Sequence, residues 1–218
     1  MRVGVLGGTG PAGQGLSARL ASVGVETIIG SRSSQRAEET AESIRKAWPD
    51  LHLPLTGGDN EAAASADLVV IATSWEAAVE TAASHSKLLE AKVVICIANA
   101  LIKVGREFHA LIPPRGSVAA GVQAVLPHSM VAGAFQHIPA KELGELAKPV
   151  EADVLVVSDY PEANAATCEL VDRIPSMRSR SAGGLASAGA IEAMTAVLLT
   201  MNLRYKTRTA IRIVGIKD

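Results

Sequence analysis

The chain has 218 residues, 48% of them apolar against 20% charged, with a formal net charge of -1. That length and apolar content support a sizeable buried core and argue against disorder. The apolar share is mostly Ala, Val, Leu and Ile, as in an α/β protein with a buried sheet. A near-neutral charge excludes bulk attraction to nucleic acid or an anionic membrane, although from Arg173 onward eight Lys or Arg against two acids leave that part locally +6.

In chain order, "RVGVLG" at 2–7 is expected as the first strand, followed by a helix from Pro11 to about Ser22, where a first-turn proline costs nothing. A second strand is expected at 26–30, then a helix over 33–48 capped by Ser33 or Ser34, and a short third strand in "HLPLTG". "ADLVVIATS" at 66–74 reads as a central strand covered on both faces. Ser74 is placed to cap an expected helix spanning "WEAAVETAASHSKLL", and strands are expected at 92–99 and 129–135. "KELGELAKPVE" is polar and marks a loose boundary, dividing residues 1–146 from a small C-terminal unit over 147–218. That unit is expected to hold a strand in "DVLVVSD", a helix in "PEANAATCELVDRI", a long helix from about Leu185 to Tyr205 and a final run "AIRIVG". The fold class is therefore α/β, a doubly wound, mostly parallel sheet of Rossmann type with a small C-terminal α/β extension.

Cys96 and Cys168 lack the spacing of a zinc site or a redox pair, and Cys96, inside "VVICIA", is expected to be a core thiol. No charged-then-apolar leader precedes the first strand, and Glu192 and Asn202 interrupt the apolar segment near 190–203. Neither a signal peptide nor a membrane span is expected, and the cytoplasm is the default location. The segment 190–203 suits either a homodimer contact or burial within the subunit.

Gly8, Gly10 and Gly13 form G-x-G-x-x-G directly after an apolar strand and at the opening of a helix, the context that binds a dinucleotide pyrophosphate. The helix N-terminus turns free N–H groups toward the anion, and Thr9 adds a hydroxyl. An NAD site usually ends its second strand in Asp or Glu, which grips the ribose hydroxyls. Here that place is Gly30-Ser31-Arg32, and the nearest acids, Glu26 and Glu38, lie too early and a turn too late. Ser31, Ser33, Arg32 and Arg36 suit a 2′-phosphate, so the expected cofactor is NADP(H); the alternative is that both arginines are solvated surface charges.

The five histidines (His52, His85, His109, His128, His137) show no metal-ligand spacing, and no serine is paired with a base. No metal and no catalytic side chain is expected. That absence suits hydride transfer between two cofactors, where the redox electronics belong to the cofactors. The sequence resembles the NADPH:coenzyme F-420 oxidoreductases, which pass hydride between NADPH and an 8-hydroxy-5-deazaflavin. The resemblance covers nearly the whole chain and rests on "RVGVLGGTGPAGQGL", "IIGSR", "TSWEAA", "AFQHIPA" and "GGLASAGAIEAMTAVLLTMNLRYKTRTAIRI". The first of these is shared by many dinucleotide folds; the last is far more specific.

The resemblance implies pyrophosphate contacts at Thr9, Gly10, Pro11 and Ala12 and 2′-phosphate contacts at Ser31, Arg32 and Arg36. It puts the nicotinamide half against Thr73, Asn99 and Ala140. It implies a deazaflavin pocket between Gln136–Ile138 and the turn at Gly183 and Gly184, the alternative being an ordinary turn before a helix. Lys206 and Arg208 are the candidates for the anionic deazaflavin tail, or else they serve the helix dipole. Two positions depart from many members: Ala100 stands where a proline follows the asparagine, and Gln136 where a histidine stands, with His137 one position later in a positioning role rather than as a proton donor. The competing readings are an NADPH-dependent reductase of a flavin or small imine, and a non-catalytic NADPH-binding module.

Overall fold

The expected alternation of strands and helices is present in the computed structural model, which describes residues 1–216. Lys217 and Asp218, counted in the basic C-terminal part, lie outside the described residues. The chain runs β1 (Arg2–Leu6), α1 (Pro11–Ser22), β2 (Glu26–Ser31), α2 (Ser34–Ala47), β3 (Leu55–Asp59), α3 (Asn60–Ala64), β4 (Leu68–Ile71), α4 (Trp75–Ser84), α5 (Ser86–Leu89) and β5 (Val93–Cys96). It continues with β6 (Leu101–Val104), β7 (Glu107–Ala110), α6 (Val118–Val125), β8 (Met130–Gly133), α7 (Ala140–Gly144), β9 (Ala152–Ser158), α8 (Pro161–Asp172), β10 (Met177–Ser181) and, after a 3-10 turn at Leu185–Ser187, α9 (Ala188–Tyr205).

One 8-stranded sheet has the order β10-β9-β8-β5-β4-β1-β2-β3, and β6 with β7 forms a separate hairpin. Within the large sheet only β8 with β9 is antiparallel. Strand order reverses at β1, and the crevice outside the carboxyl ends at such a switch point is where doubly wound sheets bind ligands. Register aligns those ends: Leu6 pairs with Ile71, Ile71 with Cys96, and Cys96 with Gly133. The residues just beyond them, Gly7, Thr73, Asn99 and Gln136, therefore emerge along one edge.

Side chains alternate between the two covered faces because the strand period is two. Val3, Val5, Val70, Ile95, Val154 and Val156 join Leu16 and Leu20 of α1 and Leu170 of α8 in one cluster. Leu6, Val69, Ile71, Val94 and Cys96 join Ala63, Ala78, Val118 and Ile191 in the other. Each fully buried Val, Leu or Ile contributes about 1.5–3 kcal/mol, so this two-sided burial dominates the favourable terms. The first cluster contains β9 and α8 as well as β1 and α1, so the chain on both sides of the polar stretch at 141–151 shares one sheet and one core. Cys96 is the expected core thiol: it is buried, and burial pushes its pKa up to about 12.

Three features differ from the sequence expectation. The helix expected from Trp75 to Leu89 breaks at His85, whose backbone leaves the helical region while its Nδ1 lies 2.7 Å from the Thr81 carbonyl. β10 carries the polar sequence "MRSRS" because it is an edge strand, and its arginines meet Asp153 rather than a core. The run at 210–215 forms no strand, although Ile211 accepts a 2.8 Å bond from the Asp153 N–H.

α9 packs Ala188, Ile191, Thr195 and Ala196 inward, which buries part of this segment within the subunit, and leaves Val197 and Tyr205 at 59% and 64% exposure. Its length and apolarity would suffice to cross a bilayer. Here, however, Glu192 accepts bonds from the first N–H groups of α6, and Thr200 accepts one from Phe108 of the hairpin.

Candidate functional site

The loop after β1 turns at Gly7, which has φ +70°, one residue before the glycine motif begins. Gly8 donates to Val5 O and Gly30 O at 3.1 and 2.9 Å, locking the loop between β1 and β2. Gly13 is needed for packing, since a Cβ there would stand 2.6 Å from Gly8 Cα. Gly10 is different. A Cβ at Gly10 would meet nothing nearer than Gly7 O at 3.6 Å, so the fold does not require glycine there. The missing side chain leaves the N-terminus of α1 open, without a capping side chain and with no acid in its first turn. An uncapped helix start with backbone access is suited to a phosphate anion. Changing Gly13 to Ala should therefore destabilise the fold by about 1–3 kcal/mol through overpacking and lower the melting temperature by several degrees, read by thermal unfolding.

Thr9, Gly10, Ser31, Arg32, Arg36 and Thr73 line a single groove of about 580 Å³ at the switch point. Ser31 is buried, and its Oγ accepts from Ser33 N–H at 3.3 Å. Ser33 caps α2 by accepting from Arg36 N–H at 3.3 Å, which settles the choice between Ser33 and Ser34. Among the described residues no acid pairs with the guanidinium of Arg32 or Arg36, and both side chains are exposed. Glu38 is turned away: it takes Arg45 at 2.9 Å and Gly57 N–H at 2.9 Å, and the Arg45 contact first of all holds its carboxyl below the usual range. At Gly30 a Cβ would lie 2.7 Å from Ala63 Cβ, so no side chain fits there. The strand end thus presents cations and hydroxyls with no carboxylate among them.

Pro11 and Ala140 line a second hollow beside α1, a different one from the groove that Thr73 lines, and Ala12 is exposed on the first turn. Arg19, buried on α1, donates to the carbonyls of Glu142, Leu143 and Glu145 and fastens α7 there.

Past the carboxyl ends of β4, β5 and β8, buried polar atoms stand without protein partners: Thr73 Oγ1, Asn99 Oδ1, both amide atoms of Gln136 and His137 Nδ1. Buried polar groups are normally bonded, so such a concentration at three adjacent strand ends marks a place built for a polar ligand or water. Asn99 Nδ2 donates to Gln136 O at 2.9 Å, and Thr195 Oγ1 of α9 to the same carbonyl at 3.2 Å. His137 Nε2 lies 2.9 Å from Asp153 O, and burial lowers its pKa, keeping the ring neutral.

Four sequence-derived site residues have surroundings of their own. Gly183 and Gly184 face Ser187 and Asp159, and Asp159 accepts from Leu185 N–H at 2.9 Å. The Gln136 carbonyl takes its bonds from Asn99 and Thr195 rather than from the glycine turn. Arg208 is engaged by Glu142 at 3.0 Å, because the segment after α9 folds back over α7. Lys206 is exposed in the left-handed C-cap of α9.

Sequence reasoning missed Asn60, whose Oδ1 accepts from Gly7 N–H at 3.3 Å, and Gln14, whose amide donates to Thr9 O at 2.6 Å. It also missed Glu192, a buried carboxyl raised by burial that accepts from Val118 and Ala119 N–H at 2.9 and 3.2 Å. Only the Asn60 position, just past β3 and level with the loop, carried a readable signal.

Fold and loop define the class: a Rossmann-type dinucleotide fold with an open phosphate-binding helix start. Residues 2–100 match the family model described as NADP oxidoreductase, coenzyme F420-dependent. The chain is 34% identical to the F420-dependent NADP reductase of Methanocaldococcus jannaschii over 100% of both chains. It is also 34% identical to that of Methanothermobacter thermautotrophicus, over 100% of this chain and 97% of the other. A solved Arthrobacter structure superposes with TM-score 0.81 at 22% identity, covering 98% of this chain and 100% of that one. Plasmodium falciparum pyrroline carboxylate reductase, solved with NADP bound, reaches TM-score 0.54 at 13% identity over 83% of this chain and 58% of its own. The chain belongs to the coenzyme F420-dependent NADP oxidoreductase family.

Proposed function

We propose that this protein transfers hydride reversibly between NADP(H) and coenzyme F-420, with NADP(H) held in the groove at the switch point. The observation that carries the cofactor choice is the end of β2, which closes in Gly30-Ser31-Arg32 without an acid and whose Ser31 and Arg32 share a groove with Arg36 and Gly10. Arg32 and Arg36 bind the 2′-phosphate, and the open start of α1 with Thr9 binds the pyrophosphate. Thr73, Asn99 and Gln136 offer the unpartnered polar atoms that orient the ring end, and α9 fixes the Gln136 carbonyl from behind.

When bound, the reduced nicotinamide supplies the hydride, and the overall reaction takes NADPH, oxidised F-420 and a proton to NADP+ and reduced F-420. The chain's own work is to bind, orient and exclude water, for which it needs no nucleophile or metal. Residues 1–146 hold NADP(H), and residues 147–218 help shape the deazaflavin pocket through α9. The reading takes the protein as a cytoplasmic homodimer; the exposed apolar residues Val197, Met201 and Tyr205 of α9 support the dimer, and sedimentation equilibrium tests it.

Mixing the purified protein with NADPH and oxidised F-420 at mildly acidic pH should bleach the deazaflavin's visible absorbance. No bleaching with intact cofactor would end this reading.

A further inference from the structure

The groove has two walls, and the cofactor reading above uses only one. Besides Arg32 and Arg36, the groove is lined by Ala77, Glu80, Thr81 and Ser84 of α4 and by His85 at the helix break that follows. With the phosphates on the glycine loop and the 2′-phosphate at the end of β2, the α4 wall is what remains for the base. His85 is the one ring among the residues lining the groove.

The break in the helix also determines what that ring offers. His85 Nδ1 lies 2.7 Å from the Thr81 carbonyl, and a carbonyl only accepts, so Nδ1 carries the proton. In the neutral ring Nε2 is then an acceptor. No described residue donates to Nε2, and it is absent from the atoms sealed away without a partner. A lone acceptor on this wall is complementary to a ring amine and unfavourable toward a ring carbonyl.

We propose that His85 Nε2 accepts a hydrogen bond from the exocyclic amine of adenine, making His85 the residue that selects adenine over a base with a carbonyl at that position. This rests on the NADP(H) reading of the groove. Glu80, on the same wall, is the competing acceptor, but it is exposed and nothing in the structure holds its carboxylate in place.

The test measures dissociation constants of the full chain for NADP+ and for its hypoxanthine analogue, in which the amine is replaced by a carbonyl, by titration calorimetry. The wild type should prefer NADP+ about tenfold, the scale of one neutral hydrogen bond against an acceptor facing an acceptor. His85→Phe, which keeps a ring and removes the acceptor, should bind the two nucleotides alike, and Glu80→Gln should keep the preference. His85→Ala gives the same reading should the Phe variant not fold. A preference that persists without the imidazole, or is lost in Glu80→Gln, would overturn the proposal. NADP+ bound by the wild type with no preference overturns it while leaving the cofactor reading intact, whereas no NADP+ binding at all removes both.

Discussion

Replacing Arg32 by alanine is expected to weaken NADPH binding by about ten- to a hundredfold while changing NADH binding less than about threefold, because a charged hydrogen bond to phosphate is worth about 1.5–3 kcal/mol. The argument depends on what surrounds the guanidinium. Arg32 is exposed and has no acid to hold it among the described residues, so it loses little on meeting an anion, and the groove places it with Ser31 and Arg36. Arg36→Ala should cost less, since Arg36 starts from the first turn of α2 rather than from the strand end. The double variant should exceed either single one. Raising salt should shrink the wild-type preference for NADPH, as both arginines are exposed and screened. Nucleotide titrations in both cofactors check this; equal losses for NADPH and NADH would place the 2′-phosphate elsewhere.

Asp153→Asn should destabilise the fold by about 3 kcal/mol, the scale of breaking a buried ion pair by removing one partner. Asp153 is fully buried at the start of β9, with Arg178 at 2.6 and 2.9 Å, Arg180 and Arg212 at 3.9 and 3.8 Å, and Ile213 N–H at 2.6 Å. It ties β9, β10 and the segment after α9 together. Burial alone would push its pKa up, but the Arg178 bond, the Ile213 N–H and the surrounding cations outweigh burial and hold it below the usual carboxylate range. A depressed carboxylate contributes stability that is present above its unfolded pKa and is lost as pH falls through its folded pKa. The gap between wild type and variant should therefore be full at neutral pH and close in strong acid. Thermal unfolding at the two pH values measures it, with a loss near neutrality of about 6–12 °C at 2–4 °C per kcal/mol. An unchanged melting temperature at pH 7 would mean that the arginines are satisfied without the carboxylate.

The glycine loop and the end of β2 were legible in sequence because both are local: a strand, a turn and a helix start lie within a few residues of each other, and the missing acid sits at a countable distance. The opposite wall was not. His85 and Glu80 lie within the stretch expected as one long helix, and only the break at His85 and the packing of α4 bring them to the groove. Glu192 looked like an interruption in an apolar helix, yet it bonds the start of α6 about 70 positions earlier in the chain, which no periodicity encodes. The pairing of Arg208 with Glu142 has the same origin, a return of the chain that only packing determines.

By itself the sequence determined the α/β class, the order of its main strands, the phosphate loop and the preference for a cation at the second strand end, since each follows from short-range pattern and residue chemistry. Tertiary structure decided which residues share a wall. It fastened β9 and β10 onto the same sheet, turned Gly184 toward Asp159, and left atoms of Thr73, Asn99 and Gln136 buried without partners. The physical reason is that burial, hydrogen-bond partners and charge pairing belong to groups distant in the chain, and only the folded sheet sets their distances.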